Sequence, residues 1–330
     1  MTEQLEQLVS TAQAMVAPGR GILAIDESMG TIRKRFDSVG IENSEENRLD
    51  YRSMMLTAEG LGEYISGAIL FDETIRQKTA DGTRLVELMN RAGILPGIKV
   101  DKGAKDMAGF GGEKITEGLD GLRERLAEYR ELGAKFCKWR AVITISEDAP
   151  SHTCIDSNAH ALARYAALCQ EAGLVPIVEP EVLMNGTHDL DTSFDITEMT
   201  LKSLFQQLFE HNVLLEGTVL KASMVISGDE ASDRADAEEV AEATVDCLLN
   251  AVPAAVAGVV FLSGGQGDVE ATAHLNAMNQ MGDLPWPLSF SYGRALQAAC
   301  LSEWAQDPKA NRASAQKVLL HRARMNGLAA

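Results

Sequence analysis

Apolar residues along this chain follow two alternating patterns. Short apolar runs are typical of buried strands, and between them lie segments in which apolar residues recur every three or four positions, as on one face of a helix. The eight runs span residues 21–26, 64–72, 95–100, 134–143, 174–180, 214–222, 257–265 and 287–294. The helical pattern is clearest in residues 118–133, 158–173 and 236–252. Strand then helix, repeated eight times, predicts an α/β fold, a (β/α)₈ barrel, with a doubly wound open sheet as the structural alternative.

The two ends of the chain predict helices outside this repeat. Residues 1–19 carry apolar side chains at helical spacing and end in Pro-Gly, and their acidic character is unlike that of a signal or transit peptide. A helical stretch ending near Arg324 follows the last strand. No Pro/Gly/Ser-rich linker divides the chain, so residues 1–330 are expected to form a single barrel domain, a TIM barrel with an extra N-terminal helix and a helical C-terminal segment.

Composition narrows the class of partner. The formal charge of -18 argues against binding to nucleic acid or an anionic membrane surface, which both require basic patches. No run reaches the ~18 apolar residues that a membrane span needs. The five cysteines are odd in number and form no C-x-x-C pair, which fits reduced thiols in a cytoplasmic protein. We therefore expect a cytoplasmic protein with a small-molecule partner.

The carboxyl ends of the strands are where a barrel of this kind places its chemistry. Ionisable or glycine-rich positions end the predicted strands: Asp26, Asp72, Lys99, Lys138, Arg140, Glu179, Glu181, Lys221, Ser263–Gly265 and Arg294. Because side chains alternate along a strand, Lys138 and Arg140 share one face while Trp139 takes the other. Taken singly these residues have ordinary interpretations, such as a turn cap for Asp26. Together they predict a charged site at one mouth.

Lys221 stands alone in an apolar run, where a charged ammonium is costly to desolvate. Either its stem is buried while its head reaches water, or it is held neutral as a nucleophile. Neighbouring cations such as Lys138 would favour the free amine, which attacks carbonyls to form a Schiff base. Glu179 would then shuttle protons, and Asp26 would remove a hydroxyl proton during a retro-aldol cleavage.

Two groups of residues predict sites for anions. The glycines of "SGGQG", residues 263–267, form either a tight turn or a nest of backbone N–H groups for phosphate, and Arg294 would complete that site. Lys99, Arg140 and Arg35 form a second basic group across the mouth. A substrate with two anionic ends is therefore indicated.

Two rival functions make different demands on the same residues. A metal-dependent sugar-phosphate lyase would need histidines grouped at strand ends, but the six histidines fall on helices and loops without ligand spacing, so no metal site is predicted. No cofactor is expected. A phospho-sugar-binding barrel with a non-catalytic role remains the alternative. Lys221 with Glu179 and Asp26 separates the two, because covalent catalysis requires this set and binding does not.

Seven motifs carry a family resemblance in order along the chain: "GRGILAIDES-G-TI-KRF", "GIKVDKG", "KWRAVI", "VEPE", "LLEGT-LK--MV", "LSGGQ" and "SYGRALQA". From near residue 19 to about residue 300 the sequence resembles class I fructose-bisphosphate aldolase. The resemblance implies a barrel enzyme without a metal, usually a homotetramer. It also implies reversible cleavage of fructose 1,6-bisphosphate to dihydroxyacetone phosphate and glyceraldehyde 3-phosphate, in glycolysis and gluconeogenesis.

The resemblance also implies residue roles. Lys221 corresponds to the Schiff-base lysine, Glu179 to the general acid/base with Glu181 close by, and Asp26 to the group that handles the hydroxyl proton. Lys138 resembles the lysine that stabilises the carbinolamine. Ligands of the phosphate distal to the ketone are implied at Ser28, Thr31, Arg35, Lys99 and Arg140, and substrate ligands nearer the ketone at Ser263, Gly264, Gly265 and Arg294.

Two features depart from the family pattern. Met29 replaces a small hydroxylated residue in "DES-G", which should leave the fold unchanged. Eukaryotic members end in a tail with a terminal tyrosine, whereas the last tyrosine here is Tyr292, so the role of that tail is open for this chain.

Overall fold

A computed structural model describes residues 3–330 and confirms the barrel. Each of the eight predicted runs coincides with a strand, one of which continues two residues past its run to Val182, and these strands are parallel and close into one ring. Numbered with a small hairpin included, the barrel strands are β1 (Gly21–Ile25), β2 (Ile65–Leu70), β3 (Leu95–Lys99), β6 (Phe136–Ile143), β7 (Val175–Val182), β8 (Val219–Ala222), β9 (Gly258–Phe261) and β10 (Leu288–Tyr292). Closure through pairing of β1 with β10 rules out the open sheet.

Helices cover the outside of the barrel and extend the chain at both ends. They are α1 (Glu3–Met15), α2 (Met29–Asp37), α3 (Glu45–Leu56), α4 (Asp72–Arg76), α5 (Leu85–Arg91), α6 (Leu122–Leu132), α7 (His152–Glu171), α8 (Leu190–Glu210), α9 (Ala237–Ala251), α10 (Asp268–Asn279), α11 (Arg294–Gln306) and α12 (Arg312–Ala329). The predicted N-terminal and C-terminal helices are thus present as α1 and α12. Among the described residues, none of these helices has both the length and the apolar character needed to cross a bilayer.

Four local details differ from the sequence-based expectation. An antiparallel hairpin of β4 (Ala104–Asp106) and β5 (Lys114–Thr116) was not expected, because its strands are three residues long and polar. The run 214–222 begins with the 3₁₀ turn Leu215–Gly217 before β8 starts. Arg294 begins α11 and does not end the last strand. Helix α12 continues beyond Arg324 to Ala329.

The amino end of the barrel is closed by helix α1. Leu8, Ala12 and Met15 of this helix are buried against inward-facing apolar residues of the strands, including Val175 and Val219. The helix therefore fills one end of the ring with hydrocarbon, as its apolar spacing predicts.

Glycines make room for a large side chain inside the ring. A Cβ at Gly97 would lie 2.2 Å from the ring of Phe136, and a Cβ at Gly67 would lie 2.9 Å from it. Only the missing side chains of β2 and β3 allow Phe136 to point into the barrel. Two residues further along β6 the same inward face presents Lys138.

The alternation along β6 matches the prediction. Trp139 points away from the barrel interior and packs against Tyr165 of α7, with ring centroids 5.5 Å apart. Lys138 and Arg140 point into the cavity at the carboxyl ends of the strands. Likewise Pro180 of β7 contacts the helix layer while Glu179 and Glu181 face the cavity.

Candidate functional site

A cavity of about 700 Å³ opens at the carboxyl ends of the barrel strands. Thirteen of the fourteen predicted site residues line it: Asp26, Ser28, Thr31, Arg35, Lys99, Lys138, Arg140, Glu179, Glu181, Lys221, Ser263, Gly264 and Arg294. Gly265 is not among the residues that line the cavity; it is exposed, and a Cβ at this position would lie 3.8 Å from Arg294 Nη2. Asp72, an ionisable strand end with no assigned role, begins α4 and pairs with Arg76 outside the cavity.

Four buried charges lie at the centre of the cavity. Lys138 Nζ is 2.8 Å from Asp26 Oδ2 and 3.0 Å from Glu179 Oε2. The other oxygen of Glu179, Oε1, is 2.9 Å from Lys221 Nζ. Each of these side chains is 11% exposed or less, so water screens their charges poorly. One carboxylate therefore joins the two lysines, which is the contact a proton shuttle requires.

The pKa values of Asp26, Glu179 and Lys138 are shifted in the directions that favour their charged forms. Burial would raise the pKa of Asp26, but the charges of Lys138 and Lys221 outweigh it and lower the pKa to about 2. Burial likewise works against the charged form of Glu179, and the two lysines again lower its pKa below the usual value. The pKa of Lys138 is raised, because Asp26 and Glu179 overcome the effect of its burial. Lys138 therefore stays protonated, as the stabiliser of a developing oxyanion must.

A second ionic group lies on β3 and β6, beside the central four residues. Arg140 pairs with Glu181, and this carboxylate raises the pKa of Arg140 against the effect of burial. Lys99 pairs with Asp101, whose Oδ2 also accepts the backbone N–H of Arg140 at 3.2 Å. This pair lies at the cavity, and the side chain of Lys99 is only 13% exposed.

The two predicted anion sites lie at helix N-termini. Ser28 is the N-cap of α2, its Oγ accepting the backbone N–H of Thr31 at 3.4 Å, and Arg35 follows one turn later. Arg294 begins α11 and donates from Nη2 to the Gly264 carbonyl at 2.9 Å. Gly264 has a φ of +59°, the left-handed conformation that glycine adopts most easily. Backbone N–H groups at helix starts and cationic side chains together suit phosphate.

Several cavity residues were missed by the sequence reasoning. Ser291 lies on the inward face of β10, and its Oγ has no hydrogen-bond partner among residues 3–330. Its signal was the alternation Ser289, Ser291 in an apolar strand. Lys34 lies on α2 and Ser38 is its C-cap, each one helical turn from Thr31 or Arg35, so helical spacing could have indicated them. Glu27 also lines the cavity, where it pairs with Arg35.

The cavity differs in charge from the protein as a whole. Seven basic and five acidic side chains line it, whereas the whole chain carries a formal charge of -18. The positive excess favours anionic ligands. In residues 3–330 no group of three or more His, Cys, Asp or Glu side chains is arranged to hold a metal ion. The arrangement is equipped for a lysine nucleophile, for proton transfer through a carboxylate and for binding an anion at each end.

Known proteins resemble this chain over nearly its whole length. The family model for fructose-bisphosphate aldolase class-I matches residues 7–330. A probable fructose-bisphosphate aldolase class 1 of Xanthomonas axonopodis pv. citri is 66% identical over 326 residues, covering 99% of this chain and 98% of that protein. Fructose-bisphosphate aldolase 1 of Toxoplasma gondii is 52% identical over 327 residues, covering 98% and 90%.

A solved structure agrees with the sequence relatives. The fructose-bisphosphate aldolase of Plasmodium falciparum, crystallised in a ternary complex with TRAP and a small-molecule inhibitor, superposes with a TM-score of 0.98 at 48% identity. The match covers 100% of this chain and 95% of that one.

Proposed function

Because the chain belongs to the class I fructose-bisphosphate aldolase family, we propose that its cavity cleaves fructose 1,6-bisphosphate reversibly to dihydroxyacetone phosphate and glyceraldehyde 3-phosphate through a Schiff base on Lys221. The observation that carries this proposal is the pairing of both buried lysines with Glu179. Binding alone would not require this pairing, so a purely phospho-sugar-binding barrel is disfavoured.

Schiff-base formation begins with proton transfer from Lys221 to Glu179 across their 2.9 Å contact. The free amine attacks the substrate ketone at C2, and the ammonium of Lys138 stabilises the oxygen of the carbinolamine. One proton passes from the carbinolamine nitrogen to that oxygen and Glu179 returns its own proton to it, so that the oxygen leaves as water. The protonated imine that remains withdraws electrons from the bond between C3 and C4.

Cleavage of this bond requires loss of the C4 hydroxyl proton, and Asp26 is the proposed acceptor. A carboxylate with a pKa of about 2 is ionised at neutral pH but is a weak base. The transfer therefore requires Lys138 to turn from Asp26 towards substrate oxygens, which raises the basicity of Asp26. The aldehyde product leaves, the enamine on Lys221 takes up a proton at C3, and water releases dihydroxyacetone phosphate.

The two phosphates are assigned to the two helix N-termini. Ser28, Thr31 and Arg35, with Lys99 and Arg140 across the cavity, would bind the phosphate distal to the ketone. Ser263, Gly264 and Arg294 would bind the nearer one, with Gly265 shaping the turn. Glu181 would hold Arg140 in place and keep negative charge near the central lysines.

A pair of variants separates binding from chemistry at this site. Arg294→Ala is expected to raise KM for phosphorylated ligands with a smaller change in kcat, because it removes a ground-state contact. Glu179→Gln is expected to lower kcat by roughly 10²- to 10⁴-fold with little change in KM. The opposite pattern in steady-state kinetics would exchange the binding and catalytic roles and overturn the assignment.

We also propose that residues 1–330 form one domain in a cytoplasmic homotetramer. The closed ring of strands from β1 to β10 supports a single unit, and five buried free thiols suit a reducing compartment. Phe209 on α8 and Leu249 on α9 are 77% and 51% exposed, which is consistent with subunit contact. Light scattering should give four times the mass of 35.6 kDa, and calorimetry a single unfolding transition.

A further inference from the structure

A row of alternating charges extends from the cavity into the protein beside the barrel. Its members, here called the buried ion row, are Arg35, Glu27, Arg52, Glu73 and Arg48. Arg35 pairs with Glu27 at the cavity, Arg52 Nη1 lies 3.2 Å from Glu73 Oε1, and Arg48 binds the same carboxylate at 2.9 and 2.6 Å. Of the five, only Arg35 and Glu27 line the cavity.

Arg52, on helix α3, is the fully buried member, with 0% of its side chain exposed. Its Nη1 donates to Thr74 Oγ1 at 2.7 Å, and its Nη2 lies 3.4 Å from the Glu27 carbonyl and 3.8 Å from Glu27 Oε2. Thr74 fixes the guanidinium on the side facing Glu73. Because Arg48 already compensates Glu73, the charge of Arg52 is available to Glu27.

Glu27 uses its two oxygens differently. Oε1 accepts from Arg35 and from Gln297 Nε2, the latter at 2.9 Å. Oε2 is buried and has no hydrogen-bond partner among residues 3–330, and the guanidinium of Arg52 lies on that side at 3.8 Å. A buried carboxylate that loses its only cation is strongly disfavoured. Glu27, however, has a second cation next to it.

Arg35 contacts Glu27 through Nη1, and a distal phosphate that bound the same guanidinium would compete with Glu27 for it, so Arg35 would exchange one anion for the other. We infer that Arg52 is a positioning residue that permits this exchange, because its fixed positive charge compensates Glu27 while Arg35 binds substrate. This inference rests on the proposed function, in which Arg35 is a ligand of the distal phosphate. Once Arg35 has turned away, the net charge of the other four members of the buried ion row is zero.

Removing the charge of Arg52 should therefore trap Arg35 on Glu27. Arg35 would then be the main cation of a buried carboxylate, and its release would become costly. Ligands that carry the distal phosphate should bind less well. Ligands that carry only the phosphate near the ketone do not need Arg35 and should bind as before.

Arg52→Met tests this, since methionine fills much of the same space without charge. KM for fructose 1,6-bisphosphate is expected to rise about tenfold while kcat stays within about threefold. The concentration of dihydroxyacetone phosphate that half-saturates borohydride trapping should change by less than about twofold. In a Glu27→Gln background, which has no buried carboxylate to compensate, Arg52→Met should change KM by less than about twofold.

Two results would overturn the inference and leave Arg52 a purely structural role. One is an equal loss of affinity for fructose 1,6-bisphosphate and for dihydroxyacetone phosphate, and the other is the same rise in KM in the Glu27→Gln background. Should Arg52→Met not fold, Arg52→Lys gives the same test. It keeps the charge but cannot reach Thr74 and Glu27 together, so a smaller rise specific to the bisphosphate is expected, and equal changes for both ligands would again overturn the inference. Wild-type protein without cleavage or trapping would instead refute the proposed function. Arg35→Ala with unchanged KM would remove the premise, and the inference would fail with it.

Discussion

The two ends of the barrel are built from the same strands but from different side chains. Along β7 the inward positions change from Val175 and Ile177 at the amino end to Glu179 and Glu181 at the carboxyl end. Strand β8 likewise changes from Val219 to Lys221 within two residues. Helix α1 seals the apolar end, whereas the charged end is open.

This difference separates stability from chemistry. Apolar burial at the amino end contributes to folding in proportion to area. Buried charges at the carboxyl end compensate one another, but taking them out of water is expensive, and such groups are weak stabilisers. We therefore expect substitutions at the two ends to affect different measurements, and the predictions below test that separation from the largest expected effect to the smallest.

The largest effect is expected at Lys221. Lys221→Met should lower kcat for cleavage by roughly 10⁴-fold or more, because no other group can form the Schiff base. The melting temperature should stay the same or rise, since Glu179 keeps Lys138 as its partner and methionine packs in an apolar strand. The matched control is Lys202→Met, which removes a 55% exposed lysine of α8. A variant that keeps more than about a hundredth of the wild-type rate would contradict the assignment.

In helix α1 we expect the opposite result, a loss of stability with little change in activity. Met15 is 0% exposed, and Met15→Ala should lower the free energy of unfolding by about 2–5 kcal/mol through lost burial and a cavity. The folded variant should keep kcat within about twofold, because the substitution lies at the sealed end. Urea unfolding and initial rates measure the two quantities, with Met281→Ala, at a 43% exposed methionine, as control. Loss of kcat in the folded variant would show that the ends are coupled.

Lowering the pH should reduce the contribution of the charged end of the barrel to stability. The folded-state pKa of Asp26 is lowered from 3.8 to about 2, so its contribution to stability is fully present above pH 3.8 and is lost as the pH falls towards 2. That contribution is about 2 kcal/mol. The difference in unfolding free energy between wild type and Asp26→Asn should narrow by this amount from pH 5 to the acid limit, as measured by urea unfolding. A difference that does not change with pH would mean that Asp26 is not held by the lysines.

The smallest effect is expected at the end of helix α12. Asn279 Nδ2 donates to the Ala329 carbonyl at 2.8 Å and to Leu288, the first residue of β10, at 3.3 Å, which places this turn at the sealed end. Deleting Gly327–Ala330 should cost stability but leave kcat and tritium exchange of dihydroxyacetone phosphate within about twofold, or ~0.4 kcal/mol in barrier height. A tenfold fall in exchange with folding intact would show that the terminus influences the cavity.

The sequence predicts the barrel because its parallel strands are buried on both faces and therefore consist of nearly continuous apolar runs. Alternation along β6 and β7 also predicts which charged side chains share a face, and Lys138, Arg140, Glu179 and Glu181 all line the cavity. The hairpin of β4 and β5 was not predicted, because its strands are short and polar and show no apolar run. The apolar pattern of helix α3 is also weak in the sequence, because Arg48 and Arg52 lie on its buried side.

The parts of the site that the sequence did not predict depend on contacts between distant segments. Gln297 comes from the last part of the chain, and nothing local indicates that its side chain reaches Glu27. Gly265 lies close to Met184, whose Sδ would be 2.7 Å from a Cβ at that position, and the sequence shows no local sign of this approach. Local patterns predict helices, strands and the faces on which side chains lie, whereas contacts between distant segments form only when the barrel closes.

Covalent trapping tests the central claim, the Schiff base on Lys221, most directly. The protein is incubated with dihydroxyacetone phosphate, reduced with borohydride and mapped by peptide mass spectrometry. We predict loss of activity with one adduct per chain, located on Lys221. An adduct on Lys99 or Lys138 with Lys221 unmodified, or no adduct under conditions that support cleavage, would contradict the account.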